Sequence, residues 1–364
     1  MAEKLRYALI GCGRIAPNHI GAAHNMADKL ELTAVCDILP EHIDILDRTI
    51  SIGEGVRRYT DYKEMVEKER PQLVAIATDS GLHAQIALYC ISQGIHCMIE
   101  KPIAMSVSDA DAIIAAAKER HVVVTPCHQN RFNRAVQTMR NALEEGRFGR
   151  LFYGVANIRW NRNENYYKQA SWRGTWAMDG GTLMNQCIHN IDLLRWMMGN
   201  EVEEVMAYTD RLNHDYIEAE DLGIALVKFK NGRYGIIEGT TNISPKNMEE
   251  TLSLFGSEGT ARLGGIAVNL IDFWQFTDGK DSSAEVIAAH QEAPKNVYGS
   301  GHTPLYADVI DSILHHRSPY LDAEDGKRAL ELVLGIYQAA ATGLPVKFPL
   351  KECSTLDFTG RFDK

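Results

Sequence analysis

The chain has 364 residues, 45% of them hydrophobic and 24% charged, with a formal net charge of -10. That length accommodates two domains with separate cores, and the composition is that of an ordinary globular protein. The acidic balance argues against nucleic acid as the main partner, and no apolar run is long enough to span a bilayer.

"MAEKLRYALIGCG" lacks the order of a signal peptide, so the cytoplasm is the expected location. From there, "LRYALIG", "ELTAVCD", "QLVAIATD", "IHCMIEKP" and "VVVTPC" read as strands, each short and closed by a turn or a charge. Helical patterns lie between them, among them "GLHAQIALYCISQG" and "SVSDADAIIAAAKERH", the latter opening on Ser and Asp. This alternation predicts a doubly wound parallel sheet, a Rossmann domain over residues 1–128. The pattern then changes. A helix, "AVQTMRNALEEGRFG", leads to a strand, "LFYGVANIRW", a polar aromatic loop, "NRNENYYKQASWRGTW", and an apolar helix, "GGTLMNQCIHNIDLLRWMMG". Alternating runs with hairpin spacing follow from residue 203, including a "KNGR" turn, and two helices close the chain. Residues 129–364 are therefore expected to form an α+β domain on a mostly antiparallel, open sheet. The fold class is α/β.

"ALIGCGRIAPNH" puts Gly11 and Gly13 between a strand and a helix, with Ala16 at the third small position. Such a turn lets the backbone approach a pyrophosphate, which the helix N-terminus then holds. The second strand ends in Asp37, about 20 residues on, where a carboxylate accepts from the adenine ribose hydroxyls and repels a 2'-phosphate. The expected cofactor is NAD. Arg14, Ile15, Thr78, His83, Glu100 and Lys101 complete the expected cofactor contacts; the last two end a parallel strand, where such sheets bind ligands. Pro102 fixes the turn after them. The seven cysteines form no CxxC pair and read as buried thiols rather than a disulfide or zinc framework.

The GxGxxA fingerprint, the "EKP" at residues 100–102 and a histidine eight residues after the second glycine of "GG" resemble the Gfo/Idh/MocA oxidoreductases along the whole chain. The resemblance implies that Lys101 and His189 flank the carbon that exchanges hydride with the nicotinamide. Many members carry Asp four residues before that histidine; this chain has Asn185. With "YYKQASWRGTW", "DGGTLMNQ" and "VYGSGHTPLYADVI", this looks most like the branch of UDP-N-acetylglucosaminuronate 3-dehydrogenases of bacterial surface-polysaccharide synthesis. Oxidation of the C-3 hydroxyl of such a nucleotide sugar is the implied reaction, in a homotetramer or dimer. A dehydrogenase of a free sugar or cyclitol, and a non-enzymatic NAD-binding sugar sensor, are the rival readings.

Asn185 and His189, at i and i+4, are expected on one helix face, with Asp192 placed to orient the imidazole or to pair elsewhere. Asn185 would hold the substrate without adding a charge beside an anionic sugar. Alcohol oxidation needs a general base, which either His189 or Lys101 can supply. No metal is expected, since His189 with Asn185 or Asp192 lacks a third strong ligand. The aromatic loop supplies Arg162, Tyr166, Tyr167, Trp172, Arg173 and Trp176 for a carboxylate, diphosphate or uracil, or else for domain packing. Lys246, Asn247, Tyr298 and His302 are further substrate candidates by resemblance.

Overall fold

The apolar runs become strands where predicted. The computed structural model describes residues 4–291 and 299–363, and Tyr298 lies outside them. The first unit contains β1 (Leu5–Ile10), α1 (Ala16–Asn25), β2 (Leu30–Cys36), α2 (Pro40–Ile50), β3 (Arg57–Tyr59) and α3 (Tyr62–Glu69). It continues with β4 (Leu73–Ile76), α4 (His83–Ser92), β5 (His96–Ile99), α5 (Val107–Arg120) and β6 (Val124–Pro126). The strands are parallel in the order β3-β2-β1-β4-β5-β6. All four residues of β4 are buried, as a strand covered on both faces requires. Ser106 caps α5 by accepting from the Asp109 N–H at 3.0 Å.

The structure divides into two compact units, and the first takes in two separate stretches of the chain. This unit comprises Met1–His128 and His302–Lys327, and the second comprises Gln129–Gly301 and Arg328–Lys364. The single span 129–364 expected for the second domain is corrected accordingly. Helix α10 (His302–Leu314), which follows the numbering of the second unit below, packs on α1 and brings the Tyr306 hydroxyl within 2.6 Å of that of Tyr7. Only the fold pairs these two rings, which are far apart in sequence.

The second unit holds α6 (Arg134–Glu144), β7 (Leu151–Arg159), α7 (Glu164–Tyr167), α8 (Ile188–Met198), β8 (Val202–Asp210), β9 (Leu222–Phe229) and β10 (Tyr234–Thr240). After these come β11 (Glu249–Gly256), β12 (Gly259–Gly264), β13 (Leu270–Phe276), α9 (Ser283–Ala289), most of α11 (Ala323–Thr342) and β14 (Val346–Lys347). Its eight strands run β13-β12-β11-β7-β10-β9-β8-β14. All neighbours are antiparallel except β7 and β10, whose connection is long enough for a crossover.

Helix α8 lies on β7, β10 and β11, and every residue of it is buried, its four polar side chains His189, Asn190, Asp192 and Arg195 included. The approach is close: a Cβ on Gly154 of β7 would lie 2.8 Å from Leu194 Cδ1 of α8. The predicted single helix is in fact two pieces, because Leu183–Cys187 form a π turn ahead of α8. Asn185 is inside that turn and His189 just beyond it, so the simple i, i+4 geometry does not apply. Among the described residues, no helix is long and apolar enough to cross a membrane, and all seven cysteines are buried free thiols.

Candidate active site

Gly11 follows β1 with φ +95°, and a Cβ there would lie 2.4 Å from the Ala77 carbonyl carbon and oxygen. Both the torsion and the close approach require glycine. At Gly13 a Cβ would meet nothing within 4 Å, so the space over this turn is open to a ligand's approach. Arg14 and Ile15 lead from it into α1, with Ile15 as the N-cap residue. At the end of β2, Asp37 Oδ2 accepts from the Cys12 N–H (2.8 Å) and Oδ1 from the Leu39 N–H (2.9 Å). The carboxylate is thereby fixed against the glycine turn. This combination of parallel sheet, glycine turn, helix N-terminus and strand-end acid fits a dinucleotide.

Three cofactor or substrate candidates of this unit turn inward instead. His83 is buried, with Nδ1 2.7 Å from the Pro102 carbonyl and Nε2 3.1 Å from that of Thr78. Burial pushes its pKa down, against these two carbonyl bonds. Both ring nitrogens tie the loops after β4 and β5 together. Glu100, also expected at the cofactor, is buried with Oε1 3.0 Å from His19 Nε2, while its Oε2 accepts from the Lys101 N–H at 3.2 Å. Burial would raise its pKa, but His19, His302 and Lys101 outweigh that and hold it below the usual carboxylate range. His19 Nδ1 is 2.7 Å from the Tyr306 hydroxyl, which extends the chain to Tyr7. His302, expected to bind substrate, packs edge-on to His19 with ring centroids 5.4 Å apart and lies 4.0 Å from Glu100. Burial, with His19 adding to it and Glu100 opposing, pushes its pKa down to about 3.

Lys101 leaves this anchored strand end through a cis bond to Pro102, and its side chain is only half-buried. His19, Glu100 and Cys127 bring potential ligand atoms within 4.8 Å of one another. Both imidazole nitrogens are already engaged, and burial raises the Cys127 thiol well above its ordinary range, so this set does not suit a metal ion.

In the second unit the aromatic loop divides into two layers. Tyr166 has the Arg162 guanidinium 5.0 Å from its ring centroid and that of Arg173 at 4.2 Å. Arg162 also lies 4.7 Å from the Trp160 ring and Arg173 5.0 Å from Trp172. Tyr167 and Trp176 are buried: the first packs on His214 and Tyr216, the second on Tyr337 and Phe358. Both rings are thus packed within the unit, whereas Arg162, Tyr166 and Arg173 stack on one another. Lys246 is exposed, whereas Asn247 Oδ1 accepts from the Asn161 N–H (2.9 Å) and from Arg162 Nη1 (3.2 Å).

Asn185 and His189 are each 9% exposed, at the edge of being buried. The Asn185 amide donates to Asp179, itself buried, which also accepts from the Gly174 N–H at 2.7 Å. A carboxylate therefore stands beside the uncharged amide at 185. Gln186 Nε2 donates to Asn185 Oδ1 (3.1 Å) and to the Tyr166 hydroxyl (2.9 Å), and its Oε1 accepts from Arg162 Nε (2.7 Å). Asp192 is held by Arg131 through two 2.7 Å bonds and by Arg195 Nη2 at 2.8 Å, all three side chains being buried. Its carboxylate is committed to these guanidiniums. Asp179, Gln186 and Arg131 were not singled out from sequence; the "DGG" and "NQ" strings contain two of them but say nothing of their partners.

A Rossmann unit with an NAD-type fingerprint and a strand-end lysine, together with a second unit carrying a helix histidine and an Arg–Tyr platform, defines an NAD-dependent oxidoreductase acting on CH–OH groups. Comparison with known proteins agrees. Residues 5–128 match the oxidoreductase family with NAD-binding Rossmann fold, and residues 136–262 match the GFO/IDH/MocA C-terminal domain. The chain belongs to the Gfo/Idh/MocA family. It is similar to the WlbA dehydrogenase of Bordetella pertussis, solved with NADH and UDP-GlcNAcA, at 35% identity over 96% of this chain and 99% of that one, TM-score 0.87. The WlbA dehydrogenase of Chromobacterium violaceum, solved with the same two ligands, is 37% identical over 96% and 98%, TM-score 0.87. Myo-inositol 2-dehydrogenase of Thermotoga maritima is 24% identical over 90% of this chain and 94% of its own. The protein is an NAD-dependent sugar or polyol dehydrogenase.

Proposed function

We propose that this dehydrogenase oxidises the C-3 hydroxyl of a nucleotide sugar of the UDP-N-acetylglucosaminuronate kind to the 3-keto sugar. What carries this reading is the likeness, at 35 and 37% identity over nearly the whole chain, to two dehydrogenases solved with UDP-GlcNAcA. The Arg162–Tyr166–Arg173 stack supports it, since paired guanidiniums suit a diphosphate or carboxylate and ring faces suit a base or sugar. Bound NAD supplies the hydride acceptor. His189 removes the hydroxyl proton, and Lys101 donates a hydrogen bond to the oxygen as negative charge develops on it. Asn185 is the third residue of this group. Asp37 holds the adenine ribose, with Gly11, Gly13, Arg14, Ile15 and Thr78 along the dinucleotide.

Initial rates of NADH formation with UDP-N-acetylglucosaminuronate against myo- and scyllo-inositol test the substrate. The nucleotide sugar is expected to be preferred by about a hundredfold or more in kcat/KM, because a site of buried polar groups discriminates strongly against ligands that leave them unpaired. Preference for an inositol, which the Thermotoga maritima relative favours, would replace the reading. No NADH with any sugar would favour a sensor.

The uncovered face of the second unit's sheet supports a homo-oligomer, a tetramer or dimer. Tyr208, Ile224, Leu226 and Tyr234 are 73%, 46%, 60% and 56% exposed, an apolar patch larger than single surface residues explain. Met206 and Ile236 flank Leu226 in register. Leu226→Lys is expected to shift the native assembly to smaller species in sedimentation velocity. An unchanged mass would move the interface elsewhere.

A further inference from the structure

Four side chains of the second unit form a hydrogen-bonded chain with only one consistent direction. Arg162 Nε–H donates to Gln186 Oε1, Gln186 Nε2–H donates to Asn185 Oδ1, and Asn185 Nδ2–H donates to Asp179. Arginine can only donate and an ionised carboxylate can only accept, so the two ends fix the sense of both amides between them. No member is placed donor-to-donor or acceptor-to-acceptor. Asp179 is 4% exposed, Asn185 and Arg162 9% and Gln186 8%, so a reversed amide would leave a buried mismatch rather than find water.

We infer that Asp179 is a positioning residue of the substrate site, which through Asn185 and Gln186 orients Arg162, and that it dictates an amide at position 185. The inference rests on the reading of Arg162 and Asn185 as substrate residues. It also accounts for the Asn-for-Asp departure from many family members. A carboxylate at 185 would face that of Asp179 directly, and two close buried carboxylates cannot both ionise. Gly174 N–H holds the other Asp179 oxygen, so the acid cannot turn away without losing that bond. With Asn at 179, the Gly174 bond takes its oxygen, and its NH2 confronts the NH2 of Asn185. Reversing Asn185 then reverses Gln186, which presents its own NH2 to Arg162.

The chain predicts a rescue that packing alone would not. Asp179→Asn should raise KM for UDP-N-acetylglucosaminuronate by about tenfold while changing kcat less, because the charge-assisted anchor of Arg162 is lost. Asn185→Asp should lower kcat/KM by about tenfold or more, through the like-charge contact. The exchanged pair, Asn185→Asp with Asp179→Asn, restores every donor to an acceptor and should recover most of the native kcat/KM.

Melting curves of the full chain supply a readout that needs no substrate. In Asn185→Asp one carboxyl keeps a proton, so its folded pKa lies above its unfolded one. Its stability relative to native therefore falls as pH rises from about 4. The comparison must be with the native curve, since the other buried groups that feel Asp179 remain: Tyr167, and Glu220, which burial raises to about 8. The exchanged pair should lose this extra pH slope. An exchanged pair no better than Asn185→Asp alone, or an Asn185→Asp curve parallel to native at all pH values, would overturn the inference. Native protein that turns over no UDP-sugar would remove the substrate reading while leaving the melting test intact.

Discussion

Lys101→Met and His189→Ala are each expected to lower kcat by about a hundred- to ten-thousand-fold, the usual contribution of a positioned proton-transfer group, with NADH affinity close to native in His189→Ala. The alcohol must lose a proton as its carbon loses hydride, and an imidazole does this near neutral pH without special tuning. The structure gives Lys101 a firm origin. Its backbone N–H donates to Glu100, whose carboxylate is tied to His19, and the His83 ring bridges the carbonyls of Thr78 and Pro102 on either side. The pH profile of kcat/KM divides the roles: the variant lacking the base should lose the acidic limb, and the other should keep it at reduced height. Unchanged turnover in either variant would remove that residue from the chemistry.

Asp192→Ala is expected to destabilise the protein by about 3–5 kcal/mol, the cost of leaving a buried charge without its partner. Arg131 and Arg195 are 1% and 0% exposed, and both donate to this one carboxylate. Arg195 would retain Asn200 through a 2.7 Å bond, and Arg131 would retain Trp196, whose ring lies 4.9 Å away. Neither neighbour supplies negative charge. Asp192→Asn keeps one acceptor and should fall between native and the alanine variant in urea unfolding. A loss below about 1 kcal/mol for Asp192→Ala would mean that the arginines find other compensation. The residue stands one turn from His189, where the sequence left it to orient the imidazole or to pair elsewhere; its two arginines make it an anchor of α8.

Much of this protein could be read along the chain. Short apolar runs closed by turns become β1, β4, β5 and β6, buried along most of their length, and β2, buried in its second half, because a parallel sheet covered on both faces selects for continuous apolar residues. The hairpin of β9 and β10 followed from two alternating runs around "KNGR". Strand β3, three residues reading "RRY" with little burial, carries no such pattern and went unseen. So did α7 and the two-residue β14. The π turn is a matter of one extra residue accommodated against the sheet, which no periodicity announces.

The sequence by itself determined the order of elements, the glycine turn, the strand-end acid, and the lysine and histidine that its motifs set apart. These are local features, in which residue type and spacing carry the physical cause. Only the tertiary structure decided which polar groups answer one another: His302 packs against His19 in the first unit, and Asp192 between two arginines. It likewise set Asp179 against Asn185, as one end of a directed hydrogen-bond chain. Buried donors and acceptors take partners by proximity in the fold, and a chain read in order holds no record of that proximity.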